Sequence, residues 1–241
     1  MNYLKSSSAL KADAREKLLG KYQCTVLAYV FMDLLLSGCL TLLEMSVNLQ
    51  TASGLLIYYA AYFIILLLST IFVVGQNHLY LNICRDLPYK TGDIWIGFST
   101  CADRTIFVCL RILLKCLLCA VPFGIATLLM VVTENYYLSL PVAASAIFMM
   151  VAITVILLDY SQALYLILDY PDETVSQLLS HSKQLMKGHR GSLFYLLVSF
   201  LGIFFLGLMT CGLGMLWIYP YFTATKTNYY LELTKATNKS I

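Results

Sequence analysis

Residues 55–76 read Leu-Leu-Ile-Tyr-Tyr-Ala-Ala-Tyr-Phe-Ile-Ile-Leu-Leu-Leu-Ser-Thr-Ile-Phe-Val-Val-Gly-Gln, a run without one charged side chain. A helix crossing the hydrocarbon core needs about 20 consecutive apolar residues, and this run supplies them. Five further segments qualify on the same ground, at roughly 22–44, 105–132, 138–168, 192–210 and 213–231. The last two are separated only by a turn at Cys211-Gly212-Leu213-Gly214; without it, 192–231 would be a single helix too long for any bilayer. The sequence therefore predicts an all-α polytopic membrane bundle of six transmembrane helices, forming one integral membrane domain over 1–241.

Composition agrees. The chain is 60% apolar and 12% charged, with a mean hydropathy of +0.77, whereas soluble domains are near a quarter charged. A core of this size cannot enclose such an apolar excess, so lipid must be the outer solvent.

The sixteen Lys and Arg fall in four groups: Lys5 to Lys21, Arg85 to Lys115, Lys183 to Arg190, and a C-terminal group of Lys226, Lys235 and Lys239. Loops 45–54, 133–137 and 210–214 carry none. By the positive-inside rule the basic connections are cytoplasmic and the uncharged ones external, and an even number of spans returns both termini to the cytoplasmic side. The first 21 residues are polar, and the apolar run after them is too long for a signal-peptide core, so it reads as a retained span.

Each cytoplasmic connection is expected to hold an amphipathic helix lying in the interface plane. The clearest is 172–187. Pro171 precedes it, Asp172 and Glu173 occupy its first turn, Lys183 and Lys187 its last, and Gly188 stops it. Its apolar face is Val175, Leu178, Leu179 and Met186. Residues 8–20 follow suit with Leu10, Leu18 and Leu19, and 91–103, around Trp95 and Phe98, more weakly. This points to three repeats of an interfacial helix plus a two-span hairpin. Two junctions carry Asp-x-Pro (Asp86–Pro88, Asp169–Pro171), and the second spans end in Tyr-Leu-x-aliphatic at Tyr80, Tyr165 and Tyr230.

Charges inside spans are the first functional suspects, because each costs roughly 2.5–3.5 kcal/mol at a helix centre. Asp33 lies in the middle of the first span, about 17 Å from either interface at 1.5 Å per residue. It is expected to face the bundle interior and to pair with a polar or cationic group. Arg111 and Lys115 share a face of the third span, and Asp159 lies ten residues from the end of the fourth. Asp33 and Asp159 then have Arg111 and Lys115 as candidate partners, with Gln76, Asn77 and His78 completing a polar cavity. The alternative is that the true spans are 112–132 and 138–158, which leaves Arg111 and Asp159 at headgroup level and Lys115 snorkelling.

No catalytic, metal or cofactor constellation emerges. Cys116-x-x-Cys119 sits in an apolar helix without further ligands and reads as packing. The eight cysteines are scattered through apolar segments, so no disulfide framework is indicated. His78, His181 and His189 share no metal-binding spacing, and no phosphate-binding or nucleophile motif occurs. Basic residues interleaved with aromatics, as nucleic acid requires, are lacking. Lys187-Gly188-His189-Arg190-Gly191 could bind lipid phosphate, although basic inner loops are general topology signals.

The run Asp169-x-Pro171, Ser182-Lys183-x-Leu185-Met186-Lys187-Gly188 and Phe194 resembles a bacterial membrane family catalogued as domain of unknown function nine-seven-five. The resemblance continues through Ser199-Phe200-x-Gly202, Thr210-x-Gly212-x-Gly214, Trp217, Pro220-Tyr221 and Asn228-Tyr229-Tyr230, and at the start through Leu10-Lys11-x-x-Ala14-Arg15-x-x-Leu18-x-Gly20. Segment 148–158 lacks the family's Ile-Pro-Gly, and Ile203 replaces a usual Trp, which implies a straighter or longer fourth span. The family is more distantly similar to the membrane portion of some glycerophosphodiester phosphodiesterases. The resemblance implies a bacterial cytoplasmic-membrane location and brings no substrate or cofactor.

Three function classes follow. The first is a non-catalytic envelope protein acting through contacts with membrane lipids, with other membrane proteins or with its own copies. The second is a transporter or export component with a polar path near Asp33. The third, an enzyme acting on lipid or phosphodiester, has no motif in its favour.

Overall fold

The computed structural model describes residues 5–134 and 136–238. Lys239, counted above in the C-terminal basic group, lies outside them. The described residues are helical without a strand: α1 (Ser7–Leu18), α2 (Tyr22–Ser46), α3 (Ala52–Cys84), a 3-10 turn (Thr91–Trp95) leading into α4 (Ile96–Thr100), α5 (Ala102–Thr133), a second 3-10 turn (Tyr136–Leu138), α6 (Ser139–Asp159), α7 (Ala163–Asp169), α8 (Val175–Met186), α9 (Arg190–Val198), α10 (Leu201–Met209) and α11 (Met215–Asn238).

Five stretches are long and apolar enough to cross a membrane: Tyr22–Ser46, Ala52–Cys84, Ala102–Thr133, Ser139–Asp169 and Arg190–Met209. The segment expected as a sixth span, 213–231, forms α11 but is not among them. Its position explains its polarity. α11 packs against α1, α2, α3 and α10, so its buried face meets protein rather than lipid. Thr223, Thr225 and Thr227 are buried there, and each hydroxyl donates to the carbonyl four residues back, at 3.0, 2.8 and 3.0 Å. Their polarity is satisfied inside the helix itself.

Segment 138–168 is expected as one span, straighter or longer than in typical family members, with 138–158 as the alternative. It breaks instead after Asp159 and restarts as α7 at Ala163. The Ser161 hydroxyl donates to the Leu158 carbonyl at 2.8 Å, a local bond that competes with the helical ladder. The amide of Ala163 turns to Tyr160, which frees the Asp159 carbonyl, and Ser182 of α8 takes it up at 2.7 Å. The 192–210 span breaks the same way. Ser199 donates to the Leu196 carbonyl at 2.5 Å, and the Ser199 carbonyl accepts from Lys11 of α1 at 3.1 Å. Helix breaks survive in apolar surroundings only where neighbouring groups re-satisfy the backbone.

α1 and α8 are therefore built into the bundle. Leu10, Ala14 and Leu18 of α1 are buried, whereas Leu19, placed on the same apolar face from sequence, caps the helix and is 71% exposed. Lys11 also lies 4.3 Å from the Phe200 ring centroid, and Arg15 donates to the Tyr221 hydroxyl at 3.2 Å. In the last turn of α1, Lys17 hydrogen-bonds Asp86 and holds the Asp86 carboxyl below the ordinary carboxylate value. α8 is closed by Thr174 and Gln177 in a reciprocal cap, and it buries Leu178, Leu179, Ser182, Leu185 and Met186.

The core occupies the end of the bundle where the basic connections lie. In α3 the buried residues fall between Ile71 and Cys84, apart from Gly54, and in α2 between Thr25 and Met32. In α6 only Leu158 and Asp159 are buried. Towards the opposite end Leu42, Leu56, Leu128, Val132, Ile147 and Leu206 are all exposed. α3 runs eight residues past its expected end at 76, so Gln76 and Asn77 sit buried within it.

α3 crosses the 91–100 segment at backbone contact. A Cβ on Gly75 would stand 1.9 Å from the Ile94 carbonyl oxygen, and one on Gly97 would stand 2.3 Å from that of Ile71. Neither backbone can yield without moving a helix. Gly75→Ala is expected to lower stability by about 2–3 kcal/mol or more, in the manner of an overpacked core. Gly124→Ala, which meets open space, is expected to change it little. Thermal unfolding of the two purified variants in one detergent checks this; equal midpoints would contradict the close crossing.

Candidate functional site

The break after α6 shapes a cationic pocket of about 590 Å³ at the basic end. Two helices supply its charge. On α5, Arg111 and Lys115 are one turn apart and so project from one face. On α8, Ser176, Ser180 and Lys183 line up at helical spacing, opposite the buried face. Tyr160, the first residue of the break, closes the pocket, and Leu114, Leu118 and Leu179 form its apolar flank.

Its polar groups are organised. Lys115 donates to the Tyr160 hydroxyl, with its nitrogen 4.2 Å from the ring centroid. Arg111 donates to the Ser176 hydroxyl. The lining holds three cations and three hydroxyls, and no carboxylate. Such a site is suited to an anion whose oxygens accept several hydrogen bonds at once, attached to a group that can rest on the leucines.

The four residues singled out inside the spans do not come together. Arg111 and Lys115 share this pocket. Asp159 is 6% exposed and is held by Arg190 at the start of α9, with Nη2 to Oδ2 at 2.8 Å and a second bond from Nε. Arg190 begins the helix that packs beside α6 and reaches the carboxylate first, so neither Arg111 nor Lys115 is its partner. Asp33 corrects the expectation more sharply. It is exposed, and it makes no hydrogen bond or ion pair among the described residues. The inner face of α2 is set by Thr25, Ala28 and Met32, and the next residue points about 100° away from that face.

Gln76, Asn77 and His78 form no open cavity together. Gln76 accepts from the Tyr219 hydroxyl at 2.9 Å within the packed core, and His78 lies 3.4 Å from Asn82.

The residues that carried the family resemblance build the frame. Asp169 accepts both Arg85 guanidinium nitrogens, at 2.9 and 2.6 Å, and the Tyr230 hydroxyl at 2.7 Å. One carboxylate thus ties α3, α7 and α11. The Pro171 carbonyl accepts from Arg104. Ser182 takes the freed Asp159 carbonyl, and buried Met186 receives the Gln162 amide at 3.7 Å. Gly188 and Gly212 adopt φ of +84° and +83°, the left-handed conformation that ends a helix or reverses the chain. Gly214 faces Gly207 at backbone distance. Pro220 and Tyr221 are buried in α11.

Arg85 and Lys226 have no reading from sequence beyond their basic groups, Lys183 only that of a last-turn cation, and Arg190 that of a loop cation able to meet lipid phosphate, whereas it is bound to Asp159. Lys226 in particular was grouped with the C-terminal cations, although it lies inside 213–231. That position was the available signal.

The Asp159–Arg190 pair gives a directional test. Arg190 has 42% of its side chain exposed and Asp159 only 8%, so removing the arginine strands a buried carboxylate, whereas removing the charge of the aspartate leaves a cation that can reach water. Arg190→Ala is expected to destabilise by roughly 1–3 kcal/mol, more than Asp159→Asn. Denaturation midpoints of the two variants decide it, and the reverse order would contradict the burial of Asp159.

No curated protein and no solved structure matches the chain significantly. A family model described as Protein of unknown function (DUF975) matches residues 1–237. With all but its last few residues matched, the chain belongs to the DUF975 family.

Proposed function

We propose that this protein is a non-catalytic, six-span protein of the bacterial cytoplasmic membrane that acts by holding anionic phospholipid at the cytoplasmic face. The cationic pocket carries the reading. Three cations without a carboxylate, beside an apolar flank of leucines, fit a lipid phosphate whose acyl chains run down α5. Arg111 and Lys115 sit near the entry of that helix, at the level where headgroups lie on this topology.

Several observations support the topology. α11 connects to α10 through a turn with no Lys or Arg, and it returns the chain to the basic end. Counting it as a span, shielded by its neighbours, makes six. The threefold repeat is part of the same reading: α1, α4 and α8 each precede a helical hairpin. The three Tyr-Leu tyrosines are all 0–1% exposed, and Tyr165 and Tyr230 stack at 4.9 Å.

In nanodiscs or by native mass spectrometry, the purified protein is expected to retain phosphatidylglycerol or cardiolipin over phosphatidylcholine. The Arg111→Ala/Lys115→Ala/Lys183→Ala variant is expected to lose at least tenfold of that preference, since hydrogen bonds to charged groups contribute about 1.5–3 kcal/mol each. Equal retention of anionic and zwitterionic lipid by the wild type would end the proposal. The topology has its own check in a cysteine-free background. Asn48→Cys and Leu213→Cys are expected to label with an impermeant maleimide from outside intact cells, and Lys187→Cys only after lysis.

A further inference from the structure

Across Tyr160 from the cationic pocket lies a second, partly open cavity of about 450 Å³, bordered by α3, α5, α6, α7, α9 and α11. Tyr160 lines both. The walls of the second cavity are mainly aliphatic, Ile112, Leu157, Leu164 and Leu197 among them, and its volume falls within the ~300–1,000 Å³ of small-ligand sites. One cation enters it: Lys226, from the middle of α11.

That ammonium has no counter-charge. Among the described residues Lys226 makes no hydrogen bond or ion pair, and its ammonium lies over the Phe222 ring, 5.6 Å from the centroid. Asp159, next along α6 from the lining residue Leu158, is already held by Arg190. An ammonium left alone in apolar surroundings is costly, and a ring at that distance offsets only part of the cost, about 0.5–2 kcal/mol. The cavity thus combines a mainly apolar lining with a single unsatisfied positive charge.

We infer that this cavity binds a single-chain amphiphile with a monoanionic head, a long-chain fatty carboxylate, whose carboxylate pairs with Lys226 while its chain fills the aliphatic walls. The head is assigned by charge. One ammonium neutralises one carboxylate, whereas a phosphate monoester would carry a second charge into a cavity with no other cation in its lining. The hydroxyls of Thr154 and Ser161, also in the lining, already donate to the Met150 and Leu158 carbonyls at 2.8 Å each, which leaves Lys226 to pair with the carboxylate. The site is distinct from the phospholipid pocket, which offers three cations.

The test uses the full chain in a non-ionic detergent, with cis-parinaric acid as fluorescent probe. Saturable binding at one site is expected, displaced by palmitate at least tenfold better than by hexadecanol or hexadecyl phosphate. Lys226→Met is expected to weaken the probe at least tenfold, and Lys226→Arg to keep it within a few-fold. Leu157→Trp, which fills the cavity and leaves the lysine in place, is expected to abolish binding. Hexadecanol competing as well as palmitate would overturn the assignment of an anionic head, and so would unchanged binding by a folded Lys226→Met. Stronger displacement by hexadecyl phosphate would overturn the monoanion. The competitor series needs only the wild type, so it decides the matter even if a variant fails to fold.

Discussion

Two backbone carbonyls organise this structure. When a helix breaks in apolar surroundings, the groups it releases need new partners, because each unsatisfied one costs several kcal/mol. The chain breaks after Asp159 and again at Ser199. The Ser182 hydroxyl and the Lys11 ammonium supply the missing donors. Both donors come from the short helices α8 and α1, which are thereby fixed to particular turns of the longer ones. The Asp159 side chain adds a second tie, to Arg190, so that α6, α8 and α9 meet at one residue. The break also sets Tyr160 where a regular helix would not, as the wall between the two pockets.

A consequence is that order is concentrated at one end. Ties at Asp159, Asp169 and Ser199, with the backbone crossing of Gly75 and Gly97, all belong to the half that carries the basic connections. The other half has long apolar helices with exposed leucines and little tertiary burial. Both pockets lie at the ordered end, where side chains have fixed positions to present. This is the usual relation between a rigid frame and a binding site: a site needs supporting shells, and here only one end provides them.

Hydropathy made the helical bundle legible, because exposure to lipid writes itself into composition. The same rule hid the character of α11. A helix surrounded by protein need not be apolar: its threonines bond to carbonyls of their own helix and its tyrosines to groups on neighbouring elements, and both lower its hydropathy. Asp33 shows the opposite failure. The cost of a central carboxylate says that some group should cover it, but that cost does not reveal which way α2 is rotated; the inward positions go to Thr25, Ala28 and Met32. Arg111 and Lys115 were visible as a stripe on one helix, whereas Lys183, which shares their pocket, comes from a helix 68 residues later than Lys115 and reads in sequence as an ordinary last-turn cation. The family motif marked tied positions: Asp169, Ser182, Gly188 and Gly212 hold elements together and line neither pocket.

The cations divide accordingly. Arg85, Arg190, Lys5 and Lys17 each pair with a carboxylate, and each pair joins elements or secures an end. Arg111, Lys115, Lys183 and Lys226 line the pockets and make no such pair among the described residues. A chain with sixteen basic and thirteen acidic residues has enough carboxylates to neutralise most of its cations, so the shortage around Tyr160 is one of arrangement. Pairing those four internally would have tied more of the bundle together. Leaving them without carboxylates gives up that stabilisation and keeps positive charge where apolar walls converge, and the proposed binding of amphiphilic anions rests on that combination.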